Sequence, residues 1–315
     1  MTWNTAMPPA PAHPPSLDEA ARRHLAIAQR VADAHRGIDD ASLLSFVSGS
    51  TVENLVDELS DVDMSVVFDA LPGEAALRAA CRRAAAASAA SPTGGIAGEG
   101  EWTWTLGKLD DPTEGGVVSF RVDGVEVQIG YACTAGLTAD LDELLVKHNP
   151  DTPTHKFAEG IAKALPLVGA APLAALQARL ADFPAGLARA MVRHGLDARP
   201  IHWRAARQIV HRDAALWCRE IQVEACYALL LVLCGLNRRW FTRFQVKRLH
   251  RLADKLPLAP PQLAARIEAL LAAPPRAAFD ALHALEGEVH ALVAAQMPEV
   301  DLSAARRRHE AYRSA

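Results

Sequence analysis

The sequence predicts an α+β protein, with an N-terminal α/β domain on a mixed sheet followed by an all-α helical domain. Two patterns carry this expectation. Residues 38–132 read strand, helix, strand, helix, and then three strands. From about residue 136 the apolar positions recur at helical spacing, with no convincing strand and with prolines between the periods. Half of the 315 residues are apolar, enough to give each of two domains a core.

Ser16 followed by LDEAARRHLAIAQRVADAHRG supplies an N-cap, early acids, apolar residues at helical spacing and a terminal Gly37, which together predict a helix. SLLSFVSGS (42–50) predicts a strand ending in Gly-Ser, and TVENLVDEL a helix of two turns. DVDMSVVFDA predicts a strand in which Val62, Met64 and Val66 alternate with Asp61, Asp63 and Ser65. GEAALRAACRRAAAASAA has high helix propensity. EWTWTLGKL (101–109), GVVSFRV (116–122) and VEVQIGYA (125–132) predict strands, and Asp123-Gly124 is a hairpin turn between the last two. Trp102 and Trp104 fall on one face of their strand, which suits packing against a helix.

Helices are then predicted over 136–147, 155–166, 171–181, 184–194, 203–235, 241–256, 260–273 and 276–296. The expected division is a Pro-rich arm at 1–15, the α/β domain at 16–145 and the helical domain at 146–315.

The formal net charge of −4 gives no reason to expect a surface that coats nucleic acid, so a nucleic-acid partner is not expected. Cys81, Cys133, Cys218, Cys226 and Cys234 have neither a pairing framework nor zinc spacing, and read as reduced thiols of a cytoplasmic protein. The N-terminal stretch lacks the charged and apolar regions of a signal peptide. The apolar run at 225–236 is short of the ~20 residues a membrane span needs, so a buried core helix and no membrane partner are expected. Oligomeric state is left open.

The chemistry gathers in GSTVENLVDELSDVDMSVVF, residues 49–68. Asp61 and Asp63 project from one side of a strand about 6–7 Å apart, where like charges repel unless a cation sits between them. Glu126 and Gln128 share the polar face of a later strand. Hard divalent ions such as Mg²⁺ take one or two carboxylates plus substrate phosphates. Two or three converging carboxylates can hold two such ions for an in-line displacement. Gly49 lets a phosphate approach the backbone, while Ser50 and the free N–H groups of the following helix would bind its oxygens. Taken singly, each feature has a plainer reading: a turn and cap, a solvated strand end, a surface glutamate.

In combination, Gly49-Ser50, an eleven-residue step to Asp61, then Asp61-Val62-Asp63-Met64 and, some sixty residues on, Val125-Glu126-Val127 resemble the signature of the DNA polymerase beta-like nucleotidyltransferase superfamily, over roughly residues 40–132. The resemblance implies transfer of a nucleoside monophosphate from an NTP, most simply AMP from ATP, onto a hydroxyl with release of pyrophosphate and two Mg²⁺ ions. It makes Asp61 and Asp63 metal ligands and puts Gly49 and Ser50 on the triphosphate. Glu126 becomes the third carboxylate, as metal ligand or general base. Asp123 competes for that place, although an Asp in an Asp-Gly turn already has a structural reason to be there.

The segment GLNRRWFTRFQVKRLHRLADKLP (235–257) is similar to a stretch of the lincosamide- and aminoglycoside-type nucleotidyltransferases and their relatives. Its cations are concentrated enough that one or two would neutralise NTP phosphates, with Lys247 the preferred residue; otherwise they form a solvated helix face. Trp240 and Phe241 read as packing residues, SAARRRHEAYRS as a solvated tail helix, and His194, His202, His211 and His250 as having no metal-ligand spacing. The acceptor expected is a small molecule such as an antibiotic or related metabolite. The alternatives are a protein or tRNA acceptor, as in toxin–antitoxin pairs, and a nucleotide-binding module without catalysis.

Overall fold

Asp18 opens the first helix of the computed structural model, its carboxylate accepting from the Ala21 N–H at 2.8 Å. The structure describes residues 17–87, 98–198, 210 and 212–313. The Pro-rich arm, the Ser16 cap, the end of the Ala-rich helix, residues 203–209, His202 and His211 lie outside the described residues.

Of the described residues, those up to Leu141 together with Ala158–Asp182 form one compact unit. Asp142–Phe157 and the residues from Phe183 onward form a second.

The first unit runs α1 (Glu19–Arg36), β1 (Leu44–Val47), α2 (Ser50–Glu53), β2 (Val62–Phe68), α3 (Glu74–Ala86), β3 (Trp104–Gly107), β4 (Gly115–Val122), β5 (Val125–Cys133) and the start of α4 (Thr134–Leu145). The chain re-enters it with the end of α5 (Thr154–Lys163), then β6 (Leu165–Val168) and α6 (Ala170–Ala181). Its strands form one mixed sheet in the order β3-β4-β5-β2-β1-β6, in which β2 and β5 are parallel. β6 corrects the expectation of no strand beyond residue 136. The helix expected over 155–166 ends at Lys163, and Pro166 fits β6 because that strand lies at the sheet edge, where a residue without an N–H is tolerated.

Alternation along the strands sorts the faces as the sequence predicts. Val62, Met64, Val66 and Phe68 of β2 join Val127, Ile129 and Tyr131 of β5 and Phe120 of β4 in one core, roofed by Ile27 and Val31 of α1 and Leu77 and Cys81 of α3. Asp123 (φ 54°) and Gly124 (φ 74°) form the two-residue turn joining β4 to β5, both with the positive φ of a type I′ hairpin.

A buried polar chain crosses this core. Trp102 Nε1–H donates to Cys81 Sγ at 3.4 Å, and Cys81 Sγ lies 3.6 Å from the Tyr131 hydroxyl. That hydroxyl meets His35 Nε2 at 2.8 Å, while His35 Nδ1–H donates to the Val31 carbonyl at 2.7 Å. Because a carbonyl only accepts, Nδ1 carries the proton and Nε2 accepts from Tyr131. Trp102 and Trp104 do not share a packed face as expected: Trp102 is held by Cys81 and by the Arg78 guanidinium over its ring, whereas Trp104 on the edge strand is half exposed.

The second unit contains α7 (Ala185–Asp197), α8 (Ala215–Leu236), a 3-10 turn (Arg243–Arg248), α9 (Leu249–Ala253), α10 (Leu263–Ala272), α11 (Pro275–Gln296) and α12 (Ser303–Arg313). Two glycines set the α7–α8 contact: a β-carbon on Gly195 would meet the Ala228 carbonyl oxygen at 2.7 Å, and one on Gly235 the Ala188 carbonyl oxygen at 2.9 Å. The run read as a buried core helix is one, with every residue from Ala228 to Leu236 buried. Asn237 closes α8 by donating to the Leu233 and Leu258 carbonyls, and Trp240 packs its ring 4.5 Å from Phe183. The tail helix α12 is not simply solvated, since Ala305 is buried and the His309 ring stacks on His283 at 3.7 Å. The five cysteines are free and buried, and among the described residues no helix is long and apolar enough to cross a membrane.

Candidate functional site

The first half of the site is the turn that leaves β1. The Ser48 N–H donates to the Asp63 carbonyl at 2.9 Å, extending the β1–β2 ladder by one residue and bringing the turn against β2. Gly49 follows with φ 68° and ψ −144°, a conformation that side chains disfavour. A β-carbon there would also stand 2.3 Å from Asp63 Oδ2, so residue 49 must be glycine on two counts. Ser50 Oγ is buried and has no hydrogen-bond partner among the described residues.

The helix after Ser50 is one turn, not the two expected. Asn54 takes a left-handed conformation (φ 58°) and ends it. Asp57 then folds the chain back, accepting from the Leu59 N–H at 3.0 Å and the Ser60 hydroxyl at 2.8 Å. What α2 offers an anion is therefore free N–H groups, with little macrodipole behind them. Lys163 secures its far end through Glu53 at 2.6 Å, and also pairs with Glu159 at 2.7 Å.

The second half is the entry to β2. Asp63, partly buried, lies opposite Gln128 of β5. Asp61 precedes the strand by one residue and is partly buried. On the polar face of the sheet one register row crosses four strands, from Asp63 through Gln128 and Ser119 to Trp104, spanning about 14 Å at the usual ~4.8 Å strand spacing.

Glu126 is on the same face but is turned the other way. Its carboxylate accepts from the Ser119 hydroxyl of β4 at 2.5 Å, and β4 flanks β5 on the side away from β2. Among the described residues no three of His, Cys, Asp and Glu are grouped to hold a metal ion. Asp123 is occupied elsewhere, its carboxylate paired with Arg30 at 2.5 Å. Lys247 lies in the 3-10 turn of the second unit, exposed; its neighbour Arg243 pairs with Glu224 at 2.7 Å.

These residues fit one divalent cation carried by a polyphosphate. Asp61 and Asp63 would supply hard oxygen ligands, the phosphate would supply others, and the Gly49 turn with the unpartnered Ser50 hydroxyl would receive phosphate oxygens. The arrangement does not form the three-carboxylate enclosure expected for two ions, because Glu126 stands outside it.

One neighbour escaped the sequence reading. His24 of α1 is 5% exposed, with Nδ1 3.5 Å from the Thr51 hydroxyl. Burial lowers its pKa, as does Arg23, while the Asp61 carboxylate and a hydrogen bond to the Asp61 main chain act in the opposite sense. The signal was present: His24 occupies an apolar-face position of α1, in step with Ala21, Ile27, Ala28 and Val31.

No protein-family model matches the chain, and no curated protein matches it. Among solved structures it is similar to a nucleotidyltransferase-like protein from Exiguobacterium sibiricum 255-15. The identity is 13% over 87% of this chain and 80% of that one, with a TM-score of 0.35. A superposition that loose transfers no residue roles.

Proposed function

We propose that this protein is a Mg²⁺-dependent nucleotidyltransferase of the DNA polymerase beta-like superfamily. It would move a nucleoside monophosphate, AMP from ATP in the simplest case, onto a hydroxyl of a small molecule such as an antibiotic or related metabolite. The observation that carries the reading is the contact between the Gly49 turn and the Asp63 carboxylate. It packs the turn proposed to receive phosphate directly against the acid proposed to hold the cation.

Each residue then has a role. Asp61 and Asp63 hold the ion, while the Gly49 turn and Ser50 Oγ hold the triphosphate. Lys247 is the cation proposed for the phosphates. Magnesium, when bound, supplies charge neutralisation on the phosphates and activation of the attacking oxygen. Glu126 serves as the third carboxylate or as base for the acceptor hydroxyl. In either role it exchanges its Ser119 hydrogen bond for a place on the β2 side of β5. The lincosamide and aminoglycoside type of acceptor rests on the sequence resemblance of residues 235–257.

The test is direct. The purified protein is incubated with Mg²⁺ and each α-labelled NTP, against aminoglycosides, lincosamides, tRNA and cell protein, with pyrophosphate release followed in parallel. Label on a small molecule with stoichiometric pyrophosphate is the expected result. Label on macromolecules alone would replace the acceptor class, and NTP binding without turnover on any acceptor would replace the enzyme with a binding module.

A further inference from the structure

We infer that Lys163 is a positioning residue for nucleotide binding that acts through Glu53, an inference resting on the reading above. That reading places phosphate oxygens on the Gly49-Ser50 turn and on the N–H groups of α2. The near end of this segment is fixed, because the Ser48 N–H donates to the Asp63 carbonyl at 2.9 Å. The far end is not fixed by α2 itself. A helix of one turn, ended by the left-handed Asn54, is too short to hold its shape by its own hydrogen bonds.

The end of α5 supplies the support. Gly160 and Lys163 are three residues apart and therefore neighbours on one face of that helix. A β-carbon on Gly160 would lie 3.6 Å from Ser48 Oγ, so α5 reaches van der Waals contact with the residue before Gly49. Lys163 Nζ donates to Glu53 Oε1 at 2.6 Å, at the last residue of α2. Glu159, one turn back on α5, accepts from the same Nζ at 2.7 Å and keeps the ammonium over this face. The anchor is itself held. Gln177 of α6 donates to the Ile161 and Ala164 carbonyls at 3.1 and 3.0 Å, and Leu165 pairs with Val47 of β1, two residues before Gly49. The pair also has an electrostatic effect. Glu53 is a carboxylate on the same single turn that would receive an anion, and Lys163 cancels a charge that would oppose the phosphates.

The test measures affinity for Mg²⁺·ATP by calorimetry, alongside Tm, in four variants. Lys163→Met removes the ammonium, Lys163→Arg keeps a cation, and Glu53→Gln removes the charge on the α2 side. Glu159→Gln breaks the pair within α5 and leaves the link to α2 in place. Lys163→Met is expected to weaken binding at least tenfold and Lys163→Arg to recover most of that loss. Glu53→Gln should weaken it at least fivefold, and Glu159→Gln should stay within twofold of the wild type. Wild-type affinity in Lys163→Met overturns the inference. So does Glu53→Gln with unchanged or tighter binding, which would make Lys163 a direct phosphate ligand.

If the wild-type protein binds no nucleotide, the proposed function fails, and amide hydrogen exchange then decides the positioning separately. The N–H groups of Asn54 and Leu55 both donate to the Ser50 carbonyl and report on the turn of α2. Lys163→Met should speed their exchange at least tenfold while Leu77 and Cys81 of α3 are unchanged. Unchanged exchange at Asn54 and Leu55 would refute the role of Lys163.

Discussion

The Asp63 carboxylate fills the space that a side chain on Gly49 would need, its Oδ2 standing 2.3 Å from where the β-carbon would be. The Gly49 turn and the Asp63 carboxylate are therefore one packed unit, so the smallest substitution at residue 49 disturbs both. Gly49→Ala must also hold an alanine at φ 68°, which costs on the order of 1 kcal/mol or more before any contact is counted. It should lower Tm by a few degrees and weaken nucleotide binding at least tenfold, read by calorimetry and titration of Mg²⁺·ATP. Unchanged binding would separate the turn from the site.

Glu126 and Ser119 make a second, sharper prediction. Their hydrogen bond holds the glutamate on the β4 side of β5. If Glu126 is the third carboxylate, Glu126→Gln cuts kcat about 10²-fold or more, as expected for a lost general base, and leaves nucleotide affinity within a few-fold. Ser119→Ala, which only releases the glutamate, keeps kcat within a few-fold. The reverse ranking in steady-state kinetics would assign the serine, not the glutamate, to the chemistry.

His35 predicts how the first unit responds to acid. Burial holds its pKa at about 4, against an ordinary 6.5. Between those values the unfolded chain binds the extra proton and the folded one does not, so stability is full above about pH 6.5 and falls as pH drops toward 4. The loss approaches roughly 3 kcal/mol, since each pH unit between the two values is worth ~1.4 kcal/mol. The double variant His35→Leu, Tyr131→Phe removes the group and its partner together. Its urea midpoint should depend less on pH between 7 and 4.5 than that of the wild type, and an identical pH slope would contradict the assignment.

The second unit offers a packing test independent of the site. Gly195 and Gly235 bring α7 and α8 together at backbone contact. Alanine at either position overpacks the interface and should cost about 1–3 kcal/mol, measured by chemical denaturation. A neutral Gly195→Ala would mean that the helices can separate without penalty.

Much of this was legible in the sequence because it depends on local chemistry. Strand alternation set Asp63 apart from the core-facing Val62 and Met64, and Asp123-Gly124 announced its turn. The misses were tertiary. β6 is four residues whose pairing partner, β1, lies far back in the chain, and its first two residues fell inside the helix expected over 155–166. The second turn of α2 was lost to Asn54 and the Asp57 turn, which compete with the helix for the same backbone groups. That Glu126 would turn toward Ser119 depends on a rotamer choice between two neighbouring strands, which spacing does not encode. His24 was visible as a polar residue on an apolar face, but its partners only folding supplies.

In the proposed function Asp61, Asp63 and the Gly49-Ser50 turn together bind a nucleoside triphosphate through a divalent ion. The most direct measurement is calorimetric titration of ATP, with and without Mg²⁺, into the wild-type protein and Asp63→Asn. Binding that requires Mg²⁺ and falls at least tenfold in Asp63→Asn is the predicted result. ATP binding indifferent to both the ion and the aspartate would contradict it.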